Sequence, residues 1–326
     1  MDLKRVLGRS GIEVSALGVG TWAMGGEMVA GGQPLGWGPA DDEESARALR
    51  RAVDLGVTLF DTADAYGAGH AEELLGRVLA PVRDEVVIAT KWGNRYDERT
   101  RQLLGETGAP EYLRWAVRES LRRLDTDRID VYQLHVNGLP LDEAADLVPV
   151  CEELVDRGLI RTYGWSTDNP AGVDVFAAGA HCSVVQHALN LFLDAPEILE
   201  RCERYDLASL NRSPLAMGLL SEKVTAHTTF PPDTVRGRAP EWLTWFRDGR
   251  AAPEFLRRRD AVREILTSGG RTLAQGALAW NWARSPRAIP LPGCRTVAQV
   301  EENAGALSHG PLTPDQVTEI EALLGH

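Results

Sequence analysis

The chain is poor in lysine. Of its 35 basic residues only Lys4, Lys91 and Lys223 are lysines, and arginine fills every other cationic position. A lysine inside an apolar strand therefore needs a specific reason. Cysteine is scarce too. Cys151, Cys182, Cys202 and Cys294 contain no Cys-x-x-Cys pair, so neither a disulfide framework nor a thiolate metal site is indicated, and a reducing cytoplasm is the expected setting. No apolar run approaches the ~18 residues of a membrane-spanning helix. The start, MDLKRVLGRSG, lacks the apolar stretch of a secretory leader. No basic block interrupts a net charge of −12, which argues against nucleic acid as a partner. Several catalytic signatures are also missing. There is no HExxH, no ligand spacing among the histidines, no GxSxG elbow and no Walker A loop. Gly18-Val19-Gly20 is followed by Thr21-Trp22-Ala23, so the third glycine of a Rossmann fingerprint is absent.

What is present is a rhythm. Residues 4–7 and 12–15 flank Gly8-Arg9-Ser10-Gly11 and predict a hairpin. Short apolar runs at 16–20, 57–60, 86–90, 129–134, 160–165, 183–187, 207–210 and 287–291 predict strands. Between them, helical periodicity predicts helices at 41–55, 70–79, 110–124, 142–157, from 170, and at 195–205. In the third of these, Leu113, Val117, Leu121 and Leu124 share one face. Eight strands alternating with helices, without a linker, predict a single (β/α)8 barrel domain over residues 1–326. Two insertions interrupt the rhythm. Residues 25–39 are rich in glycine, and residues 225–253 carry Trp242, Trp245 and Phe246. The second is expected to shape a binding pocket.

Residues at the C-terminal ends of barrel strands face the active-site mouth. Asp61, Tyr66, Lys91 and His135 fall at or just beyond the ends of the second, third and fourth predicted strands. A tyrosine beside a fixed ammonium can donate a proton near neutral pH, because the ammonium stabilises the phenolate and lowers its pKa. Asp61 would keep Lys91 charged and in place, and His135 would orient a substrate oxygen. A compact ammonium suits a phenol oxygen better than a forked guanidinium, which accounts for the rare lysine. A tyrosine acid of this kind fits protonation of an alkoxide formed from a carbonyl, with hydride supplied by a cofactor.

The segments Phe60-Asp61-Thr62-Ala63-Asp64-Ala65-Tyr66-Gly67, Thr90-Lys91-Trp92-Gly93 and Gln133-Leu134-His135 resemble those of the aldo-keto reductases. The resemblance runs through essentially the whole chain. It implies a (β/α)8 barrel, NADPH as hydride donor, and the four residues in the roles just given. It also implies cofactor contacts. Gly20-Thr21-Trp22 resembles the loop beside the nicotinamide and pyrophosphate. Ser166 and Thr167, with Gln186, are similar to the residues that hold the carboxamide, although Thr167 replaces the usual Asn. Arg212-Ser213-Pro214-Leu215, with Gly218 and Leu219, resembles the loop over the pyrophosphate. Arg212 stands where the family has an aromatic ring, so it is expected either to favour the reduced cofactor or to reach the substrate. Pro292-Gly293-Cys294-Arg295, with Gln299, Glu302 and Asn303, resembles the adenosine 2′-phosphate segment, to which the start of a helix near Val297 would add its amides.

Trp22, Trp92, Trp242 and Trp245 are the candidate substrate contacts; their faces suit apolar aldehydes or sugar rings, including a nucleotide-linked keto-sugar. A small carbonyl compound is the expected partner. Two rivals remain: a barrel lyase or isomerase using Lys91 as a Schiff base, and a non-catalytic nicotinamide-binding subunit.

Overall fold

A computed structural model describes residues 3–325. Its centre is an eight-stranded sheet: β1 (Gly18–Gly20), β2 (Leu59–Asp61), β3 (Val87–Trp92), β4 (Ile129–Leu134), β5 (Ile160–Ser166), β6 (Cys182–Ala188), β7 (Ala208–Arg212) and β8 (Ala288–Pro290). Each strand pairs in parallel with its sequence neighbour. The ends meet where the Gly20 amide donates to Pro292 O at 3.1 Å and Gly20 bridges Gly293, which closes the (β/α)8 barrel. The expected strands are all found, with shifted ends except for β4.

Helices lie between successive strands, including α1 (Asp42–Asp54), α2 (His70–Leu79), α3 (Pro110–Arg123), α4 (Leu141–Asp156), α5 (Pro170–Phe176) and α6 (Pro196–Tyr205). Their starts carry the signals that sequence chemistry demands. Asp41 accepts from the Glu43 and Glu44 amides, both at 3.0 Å, and α3, α5 and α6 begin on proline, whose missing N–H costs nothing in a first turn. α7 (Leu273–Arg284) opens with a capping box between Thr272 and Gln275, and α8 (Val297–Gly305) is capped by Thr296.

Side chains alternate across a strand with period two, and this divides the barrel along its axis. Leu59, Val87, Ala89, Val131, Val184, Leu210 and Ile289 form the apolar lower interior. The predicted hairpin, Lys4–Val6 paired with Glu13–Ser15, closes that end, since Leu7, Ile12 and Val14 join the same cluster. One step of two further along β2, β3 and β4 the inward residues become Asp61, Lys91 and Gln133. The even-numbered residues Phe60, Ile88, Trp92, Tyr132 and Leu134 pack instead with the helix layer.

One sheet was not legible from local pattern. Val29–Ala30 and Gln33–Pro34, from the first insertion, join Asn94–Asp97 and Gln102–Glu106 from the loop after β3 in a four-stranded sheet. Its strands are as short as two residues and its halves lie far apart in the chain, so no periodicity announces it. The first loop also touches the β2–α2 loop closely. Gly67 has φ +62°, and a Cβ there would lie 2.0 Å from Gly25 O, so both shape and conformation require glycine.

Behind β2–β4 the helix layer buries a polar network. Thr90 Oγ1 donates to Glu72 Oε1 at 2.6 Å, and Arg123 Nε donates to Glu72 Oε2 at 2.7 Å. Asp64 is fully buried beside this pair, and no side chain among the described residues hydrogen-bonds its carboxyl oxygens. Burial, reinforced by the charge of Glu72, pushes its pKa well above the usual carboxylate range. The folded chain therefore holds a proton that an unfolded aspartate releases above about pH 3.9. The stability linked to this proton is present at acid pH and is lost as pH rises towards the folded pKa. Asp64→Asn should flatten the thermal midpoint's dependence on pH between about 4 and 8 without lowering the midpoint at neutral pH. A midpoint at pH 7.5 lower by more than about 5 °C would show instead that Asp64 is needed as an anion.

Candidate active site

The cavity at the C-terminal mouth has a volume of about 640 Å³ and is lined by residues from many barrel loops. Asp61, Tyr66 and His135 open onto it, whereas Lys91 lies just beneath and is fully buried. Lys91 Nζ donates to Asp61 Oδ2 at 2.7 Å, to Thr62 O at 2.7 Å and to Tyr66 Oη at 3.4 Å. Asp61 is held from its other side: Gln186 Nε2 donates to Oδ1 at 2.8 Å and Gln133 Nε2 at 3.4 Å. The four residues thus converge because β2, β3 and β4 are adjacent and share the inward parity.

Their electrostatics refine the expected picture. Burial raises the Tyr66 pKa. Lys91 pulls it down, but not enough to reverse the sign. The phenol therefore keeps its proton at rest, where neighbouring charge alone predicted a depressed value. Burial alone would lower the pKa of Lys91, yet Asp61 and Tyr66 outweigh this and the ammonium persists. Burial, then the charges of Lys91 and Arg212, push His135 well below the usual histidine value, so its imidazole is neutral. The Tyr66 and His135 rings meet edge to face with centroids 5.8 Å apart. A protonated phenol and a neutral imidazole therefore face one opening, backed by an ammonium. This array can hydrogen-bond an oxygen and protonate it as negative charge develops there.

The remaining predicted residues divide. Gly20, Thr21, Trp22, Ser166, Gln186, Arg212, Ser213, Pro214, Leu215, Gly218, Gly293, Cys294, Arg295, Gln299, Glu302, Asn303 and Trp242 line the cavity. Thr167, Leu219, Pro292, Trp92 and Trp245 do not. Trp92 follows Lys91 by one residue, so strand parity turns it outward, where it packs in the helix layer against Tyr132. Thr167 stands in the same relation to Ser166; its Oγ1 donates to Asn137 O at 2.8 Å. Leu219 is buried in the core, the Pro292 carbonyl is used in closing the barrel, and Trp245 packs at the core's margin. The start of α8 is also engaged, because the Val297 amide donates to Glu44 Oε1 at 2.9 Å.

Sequence reasoning missed other lining residues: Met28, Leu35, Trp37, Asn94, Leu103 and Glu106 from the small sheet and its flanks, Asn137 after β4, and Lys223 and Arg236. Arg236 comes from the second insertion. Its guanidinium lies 4.1 Å from the Phe230 ring centroid and 4.8 Å from that of Trp37, and its buried Nε has no hydrogen-bond partner among the described residues. Burial, then the nearby charge of Arg295, push its pKa down to about 10. Among the described residues neither Arg236 nor Arg295 forms an ion pair, so this end of the cavity holds cations without acidic partners. The scarcity of lysine was the available signal for Lys223. Nothing local distinguishes Arg236 from the other arginines of its loop.

Known proteins resemble this chain in sequence and in fold. The family model described as the aldo/keto reductase family matches residues 16–324. The aldo-keto reductase YhdN of Bacillus subtilis is 33% identical over 302 residues, covering 90% of this chain and 85% of that protein. The structure of a glycerol dehydrogenase from Gluconobacter oxydans superposes with a TM-score of 0.82 at 31% identity, over 99% of this chain and 95% of that one. An aldo/keto reductase from Klebsiella pneumoniae, solved in complex with NADP and acetate, gives a TM-score of 0.71 at 26% identity, over 99% and 96% of the two chains. By its barrel, its cavity and these likenesses, the chain belongs to the aldo/keto reductase family.

Proposed function

We propose that the protein is an NADPH-dependent reductase of small carbonyl compounds, with Tyr66 as proton donor. The observation that carries this reading is the buried Lys91 ammonium, held by Asp61 at 2.7 Å and directed at the Tyr66 hydroxyl at 3.4 Å. Tyr66 gives its proton to the carbonyl oxygen as that oxygen becomes an alkoxide. Lys91 stabilises the phenolate left behind, Asp61 keeps Lys91 charged, and neutral His135 orients the oxygen. Lys91 is an unsuitable Schiff-base nucleophile, since its nitrogen is charged, buried and fully engaged.

The cavity fits a phosphorylated dinucleotide. The cations of Lys223, Arg236 and Arg295 would hold its phosphates, and the orphaned Arg236 Nε offers a donor. Ser166 and Gln186 would hold the carboxamide beside Asp61. The bound dinucleotide supplies the hydride. The reductase from Klebsiella pneumoniae was solved with NADP, in agreement with this assignment. Trp22, Trp37 and Trp242, with Met28, Leu35 and Leu103, make the remaining wall apolar and aromatic, which suits aldehydes, ketones or the face of a keto-sugar.

Two measurements test the reading. In a screen of NADPH oxidation across aldehydes, diketones and keto-sugars, Tyr66→Phe should cut kcat/KM by about 10²–10⁴-fold while leaving the NADPH dissociation constant within roughly threefold. Full activity in Tyr66→Phe would refute the proton-donor assignment. Arg236→Met and Arg295→Met should each weaken NADPH by about tenfold or more. Comparing NADH identifies which cation meets the 2′-phosphate, because only that substitution should leave NADH nearly unaffected; equal efficiency of the wild type with the two cofactors would contradict the assignment of NADPH.

A further inference from the structure

Arg212 ends β7 and Asp168 follows β5, and their side chains meet across the cavity wall in an ion pair between Nη2 and Oδ2. Asp168 is held for this contact from two other directions. Its Oδ1 accepts the Ala188 amide at 2.9 Å, and its own amide donates to Asn137 Oδ1 at 2.7 Å. Arg212 has no other ion pair among the described residues. It lines the cavity together with Tyr66, His135, Ser166 and Gln186. Its charge is felt at Tyr66, alongside those of Lys91 and Asp61, and at His135, alongside that of Lys91.

The next step rests on the carbonyl-reductase reading. Hydride passes only between atoms in contact. A carbonyl bonded to Tyr66 through its oxygen therefore requires the nicotinamide ring to lie in the part of the cavity that Tyr66, His135 and Arg212 share. That ring is neutral when reduced and cationic when oxidised. We infer that Asp168 and Arg212 form a charge-balanced pair that sets the site's relative affinity for the two oxidation states. Arg212 alone would repel the oxidised ring, and Asp168 alone would attract it. Together they leave the two forms bound comparably, so the site retains neither and serves carbonyl reduction and alcohol oxidation alike. This changes one of the two expectations for Arg212, a preference for the reduced form; the other was that it reaches the substrate.

The test is the ratio of the dissociation constants of NADP⁺ and NADPH, measured by quenching of tryptophan fluorescence at low ionic strength. Asp168→Asn should raise the ratio, and Arg212→Met should lower it, each by about tenfold, because both side chains are partly solvated and their fields are screened. The double variant should return the ratio to within about threefold of the wild type. Asparagine retains an oxygen acceptor for the Ala188 amide. If Asp168→Asn nevertheless fails to fold, Arg212→Lys joins Arg212→Met: lysine should preserve the ratio that methionine lowers. Single variants that move the ratio in the same direction, or leave it unchanged while both nucleotides bind, overturn the pair's role alone. Failure of the wild type to bind either nucleotide overturns the reductase reading together with it.

Discussion

The site depends on an ammonium buried in a barrel. Lys91 is wholly removed from solvent, and a charge so placed costs several kcal/mol unless it is paired. Asp61 supplies the pair, and Gln186 and Gln133 hold Asp61 from behind. Once this arrangement is made, Lys91 has little freedom. Its remaining directions lead to Thr62 O and the Tyr66 hydroxyl. The same burial that makes the ammonium expensive keeps Tyr66 protonated and His135 neutral. One constraint therefore determines three protonation states, and these are the states a proton donor and an orienting hydrogen-bond partner need.

Strand alternation then separates stability from chemistry. The lower interior is a packed apolar plug sealed by the hairpin, and the upper interior turns polar where Asp61, Lys91 and Gln133 follow Leu59, Ala89 and Val131 in the same columns. The loops above supply the rest. The small four-stranded sheet with its flanks and the 225–253 insertion both contribute to the cavity wall. One brings apolar and aromatic surface, and the other brings Arg236 to a cluster of cations. A long molecule with an anionic end and a reactive end near Tyr66 is the shape such a cavity accepts.

How far the sequence could be read depended on the range of the interaction involved. Helix starts were legible because caps and prolines act within a few residues, and α2 and β4 begin and end where periodicity predicts. The polar cluster of Asp61, Tyr66, Lys91 and His135 was legible because strand ends are local features and adjacent βα units are neighbours in a barrel. Trp92 was misread because its neighbourhood in sequence, next to Lys91, is the opposite of its neighbourhood in space; one residue of offset turns it to the other face of the strand. Thr167 beside Ser166 repeats the same geometry.

The amino-acid sequence by itself determined the barrel and the four residues at its mouth, since hydrophobic period and residue chemistry are properties of short segments. Tertiary structure decided what required distance or burial. It brought Asp168, from the loop after β5, to Arg212, set Arg236 against Trp37 and Phe230, and assembled a wall from two separated loops. It also decided the sign of the Tyr66 shift. The sequence shows which charges surround a phenol, but how much water the fold removes from it is a property of the packed barrel, and here desolvation outweighs the ammonium.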